Sequence, residues 1–386
     1  MKVLYITNFL LEEASGATSV AKTHLEVLKV AFGNDNVLTI ALVGPSSVEA
    51  ISDDNVEVIG VPANPLFRSM NLLLGNTGKI TNKITKYIRN IIVDKNIELI
   101  FFDDSIYGKQ IKELKKIYPN KLFVSYYHDV KRNLCIQWIK NNFFKTPVFL
   151  SLIHNERLTQ KYATYNLVLN EREKKEFIKY YRHEPEAIFP VVLPTPEIDE
   201  VDVLCNEIYN RSKPFEITFV GGYYYPNIKG IDWFVSNVLP NLEGAVHLTV
   251  VGNNMDRIAK SYAGNEAITI QGRVEDLKPY YLNADVIIGP IFEGAGMKVK
   301  TAEALSYGKY FVGTSESLVG YTEYLTCALF NKFIFCCNDA NSFVEILNKM
   351  INGTIQTTKF SKLSHKYFEE HFSVESAARL LLDIVK

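Results

Sequence analysis

The chain lacks several features that would assign it quickly to a class of protein. Its 386 residues contain no uninterrupted apolar run near the roughly 18 residues that a membrane-spanning helix needs. The formal net charge is −1, so nucleic acid is not an expected partner. The five cysteines are scattered, and neither they nor the histidines have the spacing of a zinc site. We therefore expect free thiols in a reducing compartment and no metal.

The N-terminal stretch also lacks the features of a signal peptide. Residues 1–13 read MKVLYITNFLLEE, a short apolar run that ends in two glutamates without a small-residue cleavage site. This pattern predicts a first strand, and we expect a cytoplasmic protein, at most in contact with the cytoplasmic face of the membrane.

Short apolar runs alternate with charged segments of helical period along the whole chain. The predicted strands are 2–8, 36–44, 56–61, 98–104, 121–128 and 163–170, then 215–222, 245–252, 267–272, 284–290 and 309–314. Strands that are apolar on both faces and separated by helices are typical of parallel sheets covered by helices on both sides. The fold class predicted is therefore α/β, with two doubly wound Rossmann-like domains facing a central cleft.

A proline-rich stretch separates the two series of strands. Pro190, Pro194 and Pro196 cannot belong to a central strand or a helix interior, so we place the interdomain linker at 189–199. The predicted domains are 1–190 and 191–365. A last helix is predicted over 366–386, and its apolar face could pack on either domain. We assign it to the first domain.

Ligands of open α/β sheets bind beyond the carboxyl ends of the strands, so the residues that follow each strand are the candidates. In the first domain, Gly16 lies in a turn before an amphipathic helix, where backbone N–H groups could meet an anion, although the full GxGxxG signature is absent. His128 ends a strand and could donate to a hydroxyl or stabilise developing charge. An ordinary connection and a structural histidine explain these two residues equally well.

The second domain offers more candidates. Gly221 and Gly222 end a strand where only small residues let a ligand approach the backbone. Arg273 follows another strand and is either a nucleotide contact or a surface arginine.

The segment 294–309, GAGMKVKTAEALSYGK, carries the strongest signal. A helix that begins near Met297 would aim its free N–H groups at a phosphate. Lys300 and Glu303 are three residues apart and share a helix face, whereas Lys298 points elsewhere and could be a surface charge. This face combines a cation for phosphate with a carboxylate for hydroxyls such as those of a ribose. The alternative is an intrahelical Lys–Glu pair.

Taken in order, these motifs resemble a known family. The series VGG, PN, WF, VVG, ITIQGRV, ADVIIGP and GAGMKVKTAEALSYGK is similar to the second domain of retaining GT-B glycosyltransferases of group 1, the GT4-like family. In the first domain, 170–177 (NEREKKEF) looks like a segment that many relatives carry after their last strand.

The resemblance implies metal-independent transfer of a sugar from a nucleotide-sugar, UDP- or GDP-linked, with retention of configuration and no bound cofactor. By position, Glu303 would hold the donor ribose, His128 would contact the transferred sugar, and Lys300 would lie at the diphosphate. The catalytic residues expected are therefore His128, Lys300, Glu303 and Arg273. The donor contacts expected are Gly16, Gly221, Gly222, Arg273, Gly294, Ala295, Gly296, Met297, Lys298, Lys300 and Glu303.

The chain departs from the family pattern at three points, one of which is that the N-terminal glycine pair is reduced to Gly16-Ala17. The first glutamate of the family motif falls on Ala295, while Glu293 lies two residues earlier. The arginine that often follows the glycine of the first second-domain strand is Gly222, so Arg273, Lys298 or Lys300 would have to neutralise the diphosphate.

Other functions remain open at this point. A non-catalytic GT-B subunit that binds glycan, a nucleotide-sugar epimerase and a phosphorylase would share the architecture. The expected acceptor is a glycan or lipid-linked glycan, in polysaccharide or glycoconjugate biosynthesis. The basic and aromatic stretch 131–145 either docks at a membrane or forms a buried helix and loop.

Overall fold

The chain folds into two compact units. The computed structural model describes residues 1–11, 16–44, 54–61, 64–132, 135–136, 139, 144, 146–199, 201–209, 213–294 and 296–386. Residues 1–192 and 374–386 form the first unit, and residues 193–373 form the second. The chain thus leaves the first unit within the proline-rich stretch and returns to it for its last helix.

The first unit is built on a seven-stranded parallel sheet. Its strands are β1 (Val3–Thr7), β2 (Val37–Val43), β3 (Val56–Gly60), β4 (Leu99–Phe102), β5 (Leu122–Tyr127), β6 (Tyr165–Val168) and β7 (Ala187–Ile188). They lie in the order β3-β2-β1-β4-β5-β6-β7. Every residue of β1 and β4 is buried, as expected for central strands covered on both faces.

Helices connect these strands and cover the sheet. They are α1 (Gly16–Phe32), α2 (Pro65–Leu73), α3 (Asn82–Asp94), α4 (Gly108–Ile117), α5 (Thr146–Tyr162) and α6 (Glu171–Tyr181). A run of isoleucines on one side of α3, including Ile84, Ile88 and Ile91, joins the core against β4. Their three- and four-residue spacing produces this buried stripe.

The second unit repeats the pattern with six parallel strands. These are β8 (Phe215–Val220), β9 (Val246–Val251), β10 (Ile268–Gln271), β11 (Val286–Gly289), β12 (Phe311–Gly313) and β13 (Ile334–Cys336), in the order β10-β9-β8-β11-β12-β13. The helices are α7 (Val201–Asn206), α8 (Tyr225–Asn237), α9 (Lys278–Asn283), α10 (Val299–Ser306), α11 (Ala340–Ile351) and α12 (Lys362–His371).

The C-terminal segment contains a break that the sequence pattern did not predict. Residues 366–386 were expected to form one helix, but α12 ends at His371 and α13 (Val374–Val385) begins after two intervening residues. Leu193 pairs with Ser373 in an isolated bridge at this break. Helix α13 packs on α1 and buries Ala377 and Leu381.

Strand order reverses direction at one point in each sheet. In the first sheet the chain starts at β1, runs outward to β3, and resumes on the other side of β1 with β4. In the second sheet, β8 and β11 have the same relationship. A crevice forms at the carboxyl ends of such a strand pair because the two connections leave on opposite faces of the sheet. The residues just after these four strands are therefore placed to meet a ligand.

Candidate functional site

In the second unit, the end of β8 meets the start of α10. A Cβ at Gly221 would lie 2.6 Å from Lys300 Nζ, so any larger residue would force this ammonium group out of its present position. Lys300 Nζ donates a 2.8 Å hydrogen bond to Asn227 Oδ1 and lies 4.0 Å from the centroid of the Phe219 ring. The structure thus brings together Gly221 and Lys300, which are far apart in sequence.

The pKa of the Lys300 ammonium group is shifted from its ordinary value. Burial is the main cause that lowers the pKa of Lys300 to about 7, an effect that Glu303 opposes and Lys298 reinforces. Its direct hydrogen-bond partner, Asn227, is neutral. An anion bound beside Nζ would favour the ammonium form and raise this pKa.

Glu303 lies one turn further along α10 and is held by another helix. Tyr281, which is fully buried on α9, donates a 2.8 Å hydrogen bond to Glu303 Oε2. Its ring stacks on Tyr307 at 4.7 Å between centroids. Burial raises the pKa of Glu303, against the lowering effects of the Tyr281 hydrogen bond and of Lys300. Because Lys300 and Glu303 bond to different partners, the intrahelical pair considered from the sequence is not formed.

The start of α10 corrects the sequence prediction. The helix was expected to begin near Met297, but it begins at Val299, and Lys298 is the extended N-cap. Gly296 has φ of +66°, and Tyr321 donates a 3.0 Å hydrogen bond to the carbonyl of Lys298. These two constraints keep the chain out of helical geometry until Val299. The cap makes no side-chain hydrogen bond, and the N–H of Thr301 is bonded to the carbonyl of Lys298, so the N–H groups of Val299 and Lys300 are the ones available to a ligand.

Lys298 and Met297, which precede α10, do not have the roles predicted for them. Lys298 Nζ forms a 3.0 Å ion pair with Glu316 and its side chain is only 14% exposed, so it is not an ordinary surface charge. The side chain of Met297 is buried, and its sulfur packs where Gly320 has no Cβ. Only the backbone of Met297 is therefore available to contact a bound ligand.

Two other candidates that the structure describes, Arg273 and Glu293, form no hydrogen bond or ion pair with Lys300. Arg273 is exposed after β10, which is the edge strand and lies two strands from β8, or about 10 Å. The structure does not bring Arg273 together with Lys300 and Glu303. Glu293 is 47% exposed and pairs with Lys229 at 3.2 Å. Gly294 is exposed, and Ala295 lies outside the described residues.

In the first unit, His128 follows β5 and contacts Asp103, which follows β4 at the switch point between β1 and β4. Its Nε2 is 3.1 Å from the carbonyl oxygen of Asp103 and 3.4 Å from Asp103 Oδ1. The His128 side chain is 16% exposed, and its ring meets Phe9 edge-on at 5.3 Å between centroids.

Sequence reasoning missed the two residues that surround His128. Asp103 is fully buried, and His24 Nδ1, on α1, lies 2.8 Å from its Oδ1. Asp103 was included in the predicted strand 98–104, yet β4 ends at Phe102. The only sequence feature that could have identified Asp103 was a carboxylate at the end of a predicted strand.

The remaining predicted positions are less informative. Gly16 is the exposed first residue of α1, and residues 12–15 before it lie outside the described part of the chain. The stretch 131–145 is described only at 131–132, 135–136, 139 and 144. Among the described residues, no group of three or more His, Cys, Asp or Glu is arranged to hold a metal ion. No described helix is both long and apolar enough to cross a bilayer.

Solved structures share this architecture over their whole length. Sucrose-phosphate synthase from Thermosynechococcus elongatus matches with a TM-score of 0.67 at 14% identity, over 100% of this chain and 98% of that one. HepE from Anabaena, in complex with UDP and glucose, matches with a TM-score of 0.64 at 13% identity, over 100% and 99%. The chain therefore has the GT-B fold, as predicted.

The second unit also matches a family by sequence. Residues 214–352 match the family described as Glycosyl transferases group 1. The second unit thus contains a glycosyltransferase family domain, which confirms the resemblance of its motifs to group 1 glycosyltransferases. An uncharacterized 44.6 kDa protein in the cps region of Klebsiella pneumoniae is 29% identical over 111 residues, which are 26% of this chain and 29% of that protein. The match thus spans less than a third of this relative's length.

Proposed function

We propose that the protein is a glycosyltransferase that uses a nucleotide-sugar donor, UDP- or GDP-linked, and a glycan or lipid-linked glycan acceptor. The reaction is metal-independent, retains the configuration at the anomeric carbon, and belongs to polysaccharide or glycoconjugate biosynthesis. The family domain at 214–352 and the UDP and glucose bound by HepE support this proposal.

One observation carries the proposal. Lys300 and Glu303 lie on the first two turns of α10, beside a helix start whose N–H groups have no side-chain cap. Lys300 is turned toward Gly221, at the switch point of the sheet, while Glu303 is fixed by Tyr281. A diphosphate needs the cation and the helix N–H groups, and a ribose needs a carboxylate acceptor nearby. A nucleoside diphosphate satisfies both needs with one molecule.

In this reaction the protein contributes position and charge. The N–H groups of α10 and Lys300 stabilise the negative charge that develops on the departing diphosphate. The leaving phosphate takes the proton of the acceptor hydroxyl on the same face of the sugar, so no protein nucleophile is required. Glu303 anchors the ribose, which fixes the donor relative to the acceptor.

The acceptor side belongs to the first unit. His128 contacts the transferred sugar at the carboxyl end of β5, and a lipid-linked acceptor brings the protein to the cytoplasmic face of a membrane. Sedimentation with lipid vesicles, with and without anionic lipid, tests the membrane contact.

Release of nucleoside diphosphate tests the function as a whole. UDP- and GDP-sugars that raise the melting temperature of the protein are incubated with it and a panel of glycan acceptors. The proposal expects diphosphate release that increases with the right acceptor and a product that retains the anomeric configuration. Donor binding without any release in the presence of acceptors would favour a non-catalytic subunit, and conversion of the donor sugar without acceptor would favour an epimerase.

A further inference from the structure

The carboxylate of Asp103 is surrounded by hydrogen-bond donors. Its Oδ2 accepts hydrogen bonds from the hydroxyl groups of Tyr5 and Thr7, both at 2.8 Å. Its Oδ1 lies 2.8 Å from His24 Nδ1 and 3.4 Å from His128 Nε2. Asp103 itself is 0% exposed. All five residues lie in the first unit: Tyr5 and Thr7 on β1, His24 on α1, and Asp103 and His128 just after β4 and β5.

This arrangement keeps Asp103 ionised. Burial opposes the ionised form, but His24 and His128 outweigh it, so the pKa of Asp103 lies well below its usual range. A buried carboxylate that is ionised requires a cation beside it, because an uncompensated buried charge is strongly destabilising. An imidazole protonated on both nitrogens, at His24 or His128, would supply that cation.

The two histidines differ in where their second ring nitrogen lies. Nε2 of His24 is buried, and no hydrogen-bond partner for it exists among the described residues. A protonated His24 would therefore hold a buried N–H donor without an acceptor, which costs more than an unsatisfied lone pair on a neutral ring. His128 is 16% exposed and faces Asp103 through Nε2, so its Nδ1–H can reach water or a ligand. Of the two rings, His128 is therefore the one whose second nitrogen can donate to a ligand when the ring is protonated.

We propose that Asp103 is a positioning residue that keeps His128 as an imidazolium, with Nε2–H held inward and Nδ1–H presented to the sugar. His128 is then a cationic hydrogen-bond donor to a hydroxyl or to developing negative charge, and not a general base. The proposal rests on the proposed function for the identity of the ligand, but the charge of His128 can be measured without it.

Burial and the charged groups around His128 shift its pKa in opposite directions. Burial lowers the pKa of His128, whereas Asp103 raises it, with further help from Asp104, and Lys131 lowers it. The net effect is a raised pKa.

Nuclear magnetic resonance of the histidine rings tests the charge directly. The full chain is labelled with ¹⁵N-histidine, kept free of nucleotides and titrated, and the signals of His128 are assigned with His128→Gln. We expect both ring nitrogens of His128 to be protonated at pH 7. In Asp103→Asn the midpoint should fall by about one pH unit or more, as expected when an adjacent opposite charge is removed.

Tyr5→Phe is the matched control, because it removes a hydrogen bond to Oδ2 of the same buried carboxylate and leaves the contact with His128 in place. Its His128 midpoint should stay within a few tenths of a pH unit of the native value, as is usual when no charge is removed. A neutral His128 at pH 7 in the native chain would overturn the proposal, even if Asp103→Asn does not fold. An unchanged midpoint in a folded Asp103→Asn would do the same.

The pH profile of transfer provides the functional test. The rate in the native chain should fall as pH rises through the measured midpoint of His128, and the same loss should occur at lower pH in Asp103→Asn. A rate that instead rises as His128 loses its proton would identify a base and contradict the proposal. Absence of transfer with every donor, together with a protonated His128, would refute the proposed function and leave the charge assignment standing.

Discussion

Tyr281 donates a 2.8 Å hydrogen bond to Glu303, and this pair joins two helices that begin 21 residues apart in the sequence, at Lys278 and Val299. The hydrogen bond fixes one oxygen of the carboxylate and leaves the other to accept from a ligand. Gly221, Asn227 and Lys300 form the other side of the same site. The donor site is thus supported by β8, α8, α9 and α10, all within the second unit.

Gly221→Ala should weaken nucleotide binding by roughly tenfold or more, which is about 1.4 kcal/mol. The added Cβ would lie 2.6 Å from Lys300 Nζ, so the ammonium group must move away from its place beside Asn227. Calorimetric titration with UDP and GDP measures the change. Gly60→Ala is the matched control, since a Cβ there meets nothing within 4 Å. Equal affinities of the two variants would argue against a site beside Lys300.

Nucleotide binding should be accompanied by proton uptake at pH 8. The pKa of Lys300 is about 7, so this group is mostly neutral at pH 8 in the free protein, and a bound diphosphate restores the ammonium form. We expect an uptake of roughly half a proton or more and an affinity that falls as pH rises above 7. Titrations in buffers of different ionisation enthalpy measure the uptake.

Lys300→Met should abolish this proton uptake, because it removes the group that titrates. Lys229→Met is the control, since Lys229 is an exposed lysine whose ion pair is with Glu293. If the native chain binds nucleotide with no proton uptake at pH 8, Lys300 does not face the diphosphate.

Glu156 on α5 should make the first unit less stable as pH rises. It is fully buried, and burial raises its pKa to about 7, although hydrogen bonds from Tyr181, Lys131 N–H and Ser105 lower it. The folded state therefore keeps a proton that the unfolded state loses above its own lower pKa. The stability that this proton supplies is present below the unfolded pKa and is lost as pH rises through about 7.

Glu156→Gln should remove this dependence, because the amide stays neutral. Relative to the native chain, the variant should gain on the order of 2 kcal/mol between pH 5 and pH 8. Urea unfolding at both pH values, followed by a probe in the first unit, measures the difference. Parallel stability curves for the two proteins would show that Glu156 is ionised throughout.

The strands and the strand-end residues could be predicted because their signals are local. Runs such as 2–8 and 215–222 are apolar on both faces, so their length and their flanking residues were sufficient to place them. The spacing of Lys300 and Glu303 gave their helix without any tertiary information. The strand β7 was missed because two residues carry no periodicity, and β13 was not predicted although β12, which also has three residues, was.

The partners of these residues could not be predicted because they depend on tertiary structure. Nothing near His24 in sequence indicates that α1 turns it toward Asp103, 79 residues later. Asn227 and Lys300 are 73 residues apart, and the sequence around either one gives no indication that they are hydrogen-bonded. The start of α10 was misplaced because the bond from Tyr321 to Lys298 is equally non-local.

The central claim is that a nucleoside diphosphate is held on α10 with its ribose at Glu303. Calorimetric titration of the native chain and of Glu303→Ala with UDP and GDP tests it most directly. Glu303→Ala removes the acceptor of the buried Tyr281 hydroxyl, which costs about 1–3 kcal/mol, so its circular dichroism spectrum is compared with that of the native chain to show that it folds. We predict binding of one of the two nucleotides to the native chain and an affinity lower by roughly 10- to 100-fold in Glu303→Ala, as expected for hydrogen bonds to a charged group. Equal affinities of the two proteins, or no binding of either nucleotide to the native chain, would contradict the account.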